Sequence, residues 1–339
     1  MMLKNVPLAP RTTLGVGGAA RFFIEAHTEK DIEEAITYAR GNVLPLFVLG
    51  AGSNVLVPDE GVDGVVLKMA LGNIAVEEER DDVLFVADAG TLWEDLVNKA
   101  GARGTFGIEN LAGIPGSVGG AAVQNIGAYG AELAGVFDYA EGVDRATGLP
   151  WRITRDEAGF GYRTSLFKVH RNLLIVRVAL RLTKNAARNV AYADLARASA
   201  EGVPLATPEE IASAVRAIRA RKFPHAAGEG TAGSFFKNPV VSREVFEGLQ
   251  RRFPEIPAFV QEDGTIKLPL AWILDRALAL KGFSKGRARL YEQQPLVIVA
   301  SAGASAADVG ALAAEVAERV LAATGITIER EVEIFGAQN

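Results

Sequence analysis

The sequence predicts an α+β fold. Strand-like apolar runs and amphipathic helical stretches are mixed along the chain without strict strand–helix–strand repetition. One long alternating strand lies near residues 174–182, and a glycine-rich, almost uncharged stretch covers residues 104–130. In chain order, Thr28 precedes Ile32, Ala35, Ile36 and Ala39 on one helical face, with Asp31 three positions after the cap. Leu46 to Leu49 reads as a buried strand that stops at Gly50-Ala51-Gly52-Ser53-Asn54 and resumes over Val55 to Val57. Val65 to Lys68 and Val83 to Ala87 are further strands. Thr91-Leu92-Trp93-Glu94 has the pattern of a capping box opening a helix that ends near Gly101.

In the alternating strand, Leu174, Val176, Val178, Leu180 and Leu182 share one apolar face. Ile175, Arg177, Ala179 and Arg181 make the other face, which carries charge. A new section begins near Val203, where Thr207-Pro208-Glu209-Glu210 combines a cap, a first-turn proline and a capping-box glutamate. Its helix carries Ile211, Val215 and Ile218. Then follow a helix over residues 270–280 ending at Gly282 and a strand over 296–300. Ser305 caps a helix over 306–323 that Gly325 closes, and residues 326–335 read as a final strand.

The 339 residues are 49% hydrophobic and 23% charged, enough apolar material for two or three domains. A formal net charge of -5 lacks the basic surplus of a nucleic-acid binder. The absence of cysteine excludes disulfides, thiolate nucleophiles and cysteine metal sites. His27, His170 and His225 are far apart and share no ligand spacing, so no metal is expected. No apolar run approaches the ~20 residues of a spanning helix, and residues 1–11 lack a signal core. The expected compartment is the cytoplasm, with no membrane partner.

Four glycine-rich stretches occur in the first 130 residues: Gly15 to Gly18, Gly50 to Asn54, Gly113 to Gly120, and Gly127 to Gly130. Glycine lets backbone amides approach a ligand, and consecutive amides form anion-binding concavities. Pro115-Gly116-Ser117 suits the start of a helix whose N-terminus faces a pyrophosphate. Any one stretch is equally well a tight turn. Val55 stands where a dinucleotide fingerprint needs its third glycine, and no P-loop pattern occurs. The four stretches together suit several loops wrapped around a long dinucleotide such as FAD.

Three polar spots suit chemistry. In Gly161-Tyr162-Arg163-Thr164-Ser165 the arginine can grip a carboxylate or phosphate bidentately. In Ala232-Gly233-Ser234-Phe235-Phe236-Lys237-Asn238-Pro239 a serine sits between a flexible glycine and two aromatics. On the last strand, alternation puts Glu329, Glu331 and Glu333 on one face. Local sequence also allows an ion pair, a strand start and a solvated acidic edge at these spots.

At these motifs the chain resembles the UDP-N-acetylenolpyruvoylglucosamine reductases, the flavoenzymes of murein (peptidoglycan) precursor synthesis. The resemblance runs from Thr12-Thr13-Leu14-Gly15 to Glu331-Val332-Glu333-Ile334-Phe335-Gly336. It rests on Leu49 to Asn54, Gly113 to Gly120, Gln124 to Gly130, Gly161-Tyr162-Arg163 and Gly233 to Pro239, in family order. It implies a two-lobed FAD-binding region of vanillyl-alcohol-oxidase type plus a C-terminal α+β substrate-binding domain. The expected divisions are residues 1–70 (first FAD lobe), 71–203 (second), 204–325 (substrate domain) and 326–339 (a strand returning to the active site).

The resemblance also implies roles. Arg163 looks like the arginine on the reacting carboxylate, Ser234 like the proton donor, and Glu331 like the glutamate that helps stabilise the enol intermediate. Gly50, Ala51, Gly52, Ser53, Asn54, Gly113, Ile114, Pro115, Gly116, Ser117, Gly119 and Gly120 look like the FAD-binding set. Tyr129, Tyr162, Lys222, Lys237, Asn238, Gln293 and Gln294 look like substrate contacts. Tyr192 resembles the tyrosine of the longer subclass that closes over the nucleotide. Thr12 departs from the asparagine of many relatives, away from this chemistry. The implied activity is NADPH-dependent reduction of UDP-N-acetylglucosamine enolpyruvate through tightly bound, non-covalent FAD, in a monomer. An FAD-dependent sugar or alcohol oxidase and a non-catalytic nucleotide-sugar sensor remain as alternatives.

Overall fold

The computed structural model describes residues 1–224 and 228–337. His225 and the last two residues of the expected C-terminal segment lie outside the described residues. The chain forms two compact units. The first comprises Met1–Val6, Ala20–Gly52 and Asp63–Ala220; the second comprises Pro7–Ala19, Ser53–Val62 and the chain from Arg221 onward. Helices and strands are mixed in both, as an α+β class requires.

The first unit has a four-stranded sheet in the order Leu3–Pro7, Ala19–Ala26, Val62–Met69, Leu46–Leu49, the last two parallel. Helix Glu29–Gly41 has the predicted capping box. Thr28 accepts from the Asp31 amide, and the Asp31 carboxylate accepts from the Thr28 amide at 2.9 Å. Such a cap contributes about 1 kcal/mol. The helix buries Ile32, Ala35, Ile36 and Ala39, the face that the periodicity predicts.

A five-stranded antiparallel sheet follows the order Pro150–Thr154, Phe137–Asp144, Leu173–Thr183, Asp82–Asp88, Ile74–Glu79. The predicted apolar face of Leu173–Thr183 is buried, but its second face is less polar than expected. Ile175 and Ala179 are buried there, and the arginines are held in ion pairs. Arg177 meets Asp88, Glu141 and Glu29, and Arg181 meets Asp138 and Glu79. A central strand is covered on both faces, so its charges survive only where carboxylates answer them.

The capping box expected at Thr91 does not form. Helix Trp93–Gly101 begins after Leu92 without a side-chain cap. Thr91 is buried, and its carbonyl accepts from the Val118 amide at 2.9 Å. Glu94 reaches the Gly113 amide instead, at 2.7 Å. The box at Thr207 does form: Glu210 accepts from the Thr207 amide at 3.0 Å, and Thr207 Oγ1 accepts from Glu210 at 3.2 Å. Helix Pro208–Lys222 then buries Ile211, Val215 and Ile218.

In the second unit, Gly230–Ser234, Val297–Ala300, Ala288–Leu290 and Ser284–Lys285 make an antiparallel sheet in that order. Helix Ala306–Thr324 has a Ser305–Asp308 capping box and ends on Gly325 in the left-handed region. Asp59 also accepts from the amides of Ala306 and Ala307, at 2.8 and 2.9 Å. Leu14, Val16 and Leu56 join Phe235, Phe236, Leu270, Val309 and Val316 in the core, which explains why segments 7–19 and 53–62 fold with the C-terminal half.

Two elements near the C-terminus depart from their predicted form. The helix over 270–280 is one turn, Leu270–Trp272, continued as π-helix over Ile273–Ala277. Its bonds widen, with Leu278 donating to Ile273 and Leu280 to Leu274, until Ala279 turns left-handed. The final strand is only Glu333–Ile334, parallel to Val55–Leu56. Before it, Glu329 and Glu331 bond to Lys237 and Phe235, so the extended tail divides its pairing between two partners.

Among the described residues no helix is long and apolar enough to cross a membrane. Nor does any group of three His, Asp or Glu residues among them have metal-ligand geometry.

Candidate active site

Two of the expected cofactor motifs meet inside the first unit. A Cβ on Gly50 would lie 2.6 Å from Ser117 Oγ, so only glycine fits at this crossing. Ser117 is buried and caps helix Val118–Gln124, and Lys68 donates to the Gly50 carbonyl. Gly119 packs against Ala89, where a Cβ would stand 2.8 Å from the alanine Cβ.

The short helix does not offer its first amides to a phosphate, contrary to expectation. Val118 donates to Thr91, Gly119 to Ala89 and Gly120 to Ser117 Oγ. Packing of the helix against residues 89–91 consumes those donors. The turn at Ala51 and Gly52 differs. Gly52 has φ +69°, and among the described residues nothing accepts the two backbone N–H groups. Successive amides in such a turn suit a phosphate. The residues present therefore fit a dinucleotide such as FAD: the amides of Ala51 and Gly52 suit a diphosphate, and Gly113 to Gly120, which cross Gly50 at Ser117, form a second wall.

That second wall is gripped on both sides. The Gly113 amide donates to Glu94 at 2.7 Å, and its carbonyl accepts from Arg219 Nε at 2.9 Å. Arg216 holds the other oxygen of Glu94 and donates to Asn98 Oδ1 at 2.6 Å. Sequence reasoning missed Arg216 and Arg219. Their spacing of three on a half-buried helix face was the available signal. Burial holds the Arg219 guanidinium below its usual range, with Tyr129 and Glu94 opposing the shift. Ile114, Pro115 and Gly116 follow in this loop, and the Gly116 carbonyl accepts from Trp93 at 3.0 Å.

Arg163 occupies a two-residue turn closed by paired bonds between Gly161 and Thr164. Its φ is +54°, a conformation that non-glycine residues adopt at a cost of about 1 kcal/mol or more. Strain of this kind persists where the surroundings fix it. The guanidinium donates to the Gly127 carbonyl at 2.7 Å and lies 5.4 Å from the Tyr162 ring centroid. Asn125, buried and left-handed, donates to the Gly161 carbonyl at 2.9 Å. Lys168 reaches the Arg163 carbonyl at 3.3 Å and Gln124 at 2.5 Å. The arginine thus stands on a braced platform made from two predicted motifs.

Tyr129 and Tyr192 are brought together in the same unit. Their rings meet edge to face at 5.3 Å. Tyr129 is buried while Tyr192 is half-exposed. Burial pushes both phenols up, and Arg219 opposes that at Tyr129.

Ser234 and Glu331 are neighbours in the second unit. Ser234 ends strand Gly230–Ser234 just after a register shift, and Gly233 before it has φ +76°. Glu331 donates its amide to the carbonyl of Phe235, the next residue, at 2.8 Å. Its own carbonyl accepts from Asn54 Nδ2 at 3.2 Å. Lys237 pairs with Glu329 at 2.9 Å, and Asn238 Oδ1 accepts from the Leu270 amide at 3.0 Å. Gln294 is half-buried with an Oε1 that no described group satisfies, while Gln293 is exposed. Lys222 ends helix Pro208–Lys222, and Ser53 opens the 53–62 segment of this unit.

The family model for an FAD binding domain matches residues 20–150. The model for the UDP-N-acetylenolpyruvoylglucosamine reductase C-terminal domain matches residues 224–335. The UDP-N-acetylenolpyruvoylglucosamine reductase of Pseudomonas aeruginosa is 40% identical over 335 residues, covering 98% of each chain. That of Escherichia coli is 38% identical, covering 98% of this chain and 96% of its own. The crystal structure of the Thermus caldophilus reductase superposes with a TM-score of 0.70 at 28% identity, over 99% of this chain and 100% of that one. By near-complete matches at this level of identity, the chain belongs to the UDP-N-acetylenolpyruvoylglucosamine reductase family.

Proposed function

We propose that this enzyme reduces UDP-N-acetylglucosamine enolpyruvate to UDP-N-acetylmuramate with NADPH, in peptidoglycan precursor synthesis. The observation that carries the reading is the match to reductases of that name over 98% of both chains. FAD, bound tightly and non-covalently, supplies hydride transfer between NADPH and the substrate.

The chain's own residues supply binding, charge and a proton. The Ala51 and Gly52 amides would hold the FAD diphosphate, and Lys68 and Ser117 keep Gly50 in position. Arg163 binds the enolpyruvyl carboxylate. Its charge acts most strongly when negative charge builds on that carboxylate, which is how a fixed cation accelerates a step. The bond to Gly127 keeps the guanidinium aimed before substrate arrives. Ser234 gives its hydroxyl proton to the carbon beside the carboxylate. A hydroxyl is a weak acid, so the transfer depends on close positioning. Glu331, anchored through Phe235 and Asn54, stabilises the enol form of the substrate.

Tyr129, Tyr162, Tyr192, Lys222, Lys237, Asn238, Gln293 and Gln294 hold the UDP-sugar, with Tyr192 closing over the nucleotide. The enzyme works in the cytoplasm as a monomer. Mass spectrometry of a reaction with NADPH and the enolpyruvyl substrate tests the reading. It requires a product heavier by two hydrogens and an equal loss of NADPH. NADPH loss without that product refutes it.

A further inference from the structure

Asn110 sits 2% exposed in the 3-10 turn Glu109–Leu111. Its side-chain amide donates twice, to the Tyr129 carbonyl at 2.7 Å and to the Asn189 carbonyl at 2.8 Å. Asn189 returns a bond from its own side chain to the Gly130 carbonyl at 2.9 Å. One planar group therefore joins two segments distant in sequence: the turn that carries Tyr129 and the loop that carries Tyr192.

The turn has a conformation that needs holding. Tyr129 and Gly130 have φ +48° and +81° between the paired residues Ala128 and Ala131. That is the pattern of a type I′ hairpin, which favours asparagine or glycine where this chain has tyrosine. The loop is fixed on its far side by Leu195, wholly buried three residues after Tyr192. Tyr192 thus lies between two anchors, Asn189 and Leu195, and its ring meets Tyr129 at 5.3 Å. Meanwhile Asn110 Oδ1 is buried without a hydrogen bond. A buried orphan acceptor is costly, so the two donor bonds are what an asparagine here provides.

We propose that Asn110 and Asn189 form a latch that sets Tyr129 and Tyr192 as one aromatic edge for the uridine nucleotide. Asn110 is a positioning residue, since it acts through the tyrosines and touches no substrate. The inference rests on the reading of Tyr192 as the nucleotide-closing residue.

Calorimetric titration with UDP, on protein loaded with FAD, tests it. The set is the parent, Asn110→Ala, Asn189→Ala, Tyr192→Ala, and each asparagine variant combined with Tyr192→Ala. Each asparagine change alone weakens UDP binding, by about three- to tenfold per lost bond system. In the Tyr192→Ala background each change costs clearly less than it does alone, because only Tyr129 is left for the latch to position, the signature of residues acting through one another. A general loss of stability would not give that non-additivity. Equal effects in both backgrounds, or unchanged UDP affinity in Asn189→Ala, overturn the latch. Asn189 is only half-buried, so its variant decides the matter if Asn110→Ala does not fold. A parent that holds FAD and fails to bind UDP instead overturns the nucleotide-sugar reading, and the latch with it.

Discussion

The side-chain amide of Asn54 donates to the backbone carbonyl of Glu331 at 3.2 Å, across 277 positions of sequence. The parallel pairing of Val55–Leu56 with Glu333–Ile334 continues the same contact. The asparagine of the glycine-rich loop thus anchors the segment that bears the proposed enol-stabilising glutamate. Asn54→Ala should lower kcat while leaving FAD affinity within about threefold of the parent, because its side-chain amide is spent on the tail rather than on the cofactor contact that the resemblance implies. Fluorescence titration of FAD checks this; a loss beyond about tenfold, or ~1.4 kcal/mol, would give Asn54 a direct cofactor role.

Gly50 and Ser117 make a second such pair. Gly50→Ala brings a Cβ to 2.6 Å from Ser117 Oγ. The variant should lower the melting temperature and release FAD on gel filtration. Adding Ser117→Ala removes the colliding oxygen, leaving the residue's Cβ at 3.8 Å. The double variant should recover FAD retention even though the helix loses a cap worth about 1 kcal/mol. Further loss in the double variant would show that the crossing is not the constraint.

Arg163→Lys keeps a charge but cannot hold the Gly127 carbonyl and a carboxylate in fork geometry. Turnover of the enolpyruvyl substrate should fall by about a hundredfold or more. Stopped-flow reduction of bound FAD by NADPH should be unchanged. Slow flavin reduction would move Arg163 to the other half of the reaction.

Ser234→Ala should likewise keep fast reduction by NADPH and lose the second half-reaction, by about 10²- to 10⁴-fold for a removed general acid. Near-normal turnover would assign the proton to another group, for which adjacent Glu331 is the candidate.

Glu109 offers a pH test. Its carboxyl is buried, and burial pushes its pKa above the ordinary 4.5, although the Gly107 amide donates to it at 2.5 Å. A raised folded-state pKa contributes stability in full below about pH 4.5. That contribution is lost as pH rises through the folded value. Glu109→Gln retains an acceptor for Gly107 and removes the titration. Its melting temperature should gain on the parent as pH rises from 4.5 toward neutrality, whereas a constant difference would locate the effect elsewhere.

Periodicity and capping chemistry made much of the fold legible, because those signals are local. Thr28, Thr207 and Ser305 cap where their patterns predict, and the apolar face of Leu173–Thr183 is buried. Thr91 does not cap: its hydroxyl donates to the Asn73 carbonyl at 3.3 Å, its carbonyl takes the Val118 amide, and the helix starts one residue later. The tail beyond Ile326 reads as one strand but serves two partners, which no alternation encodes. For the proposed chemistry, local sequence singles out Arg163, Ser234 and Glu331 by residue type. The residues that brace the first unit's loops do not stand out: Arg219 under Gly113, Asn125 under Gly161 and Asn110 between two loops are ordinary polar residues until folding joins them.

The most direct test of the account is an anaerobic visible spectrum of the FAD-loaded protein, taken before and after NADPH and again after UDP-N-acetylglucosamine enolpyruvate. The expected result is a flavin spectrum that NADPH bleaches and the enolpyruvyl substrate restores without oxygen. A flavin that ignores NADPH, or that recovers only when oxygen is admitted, would contradict it.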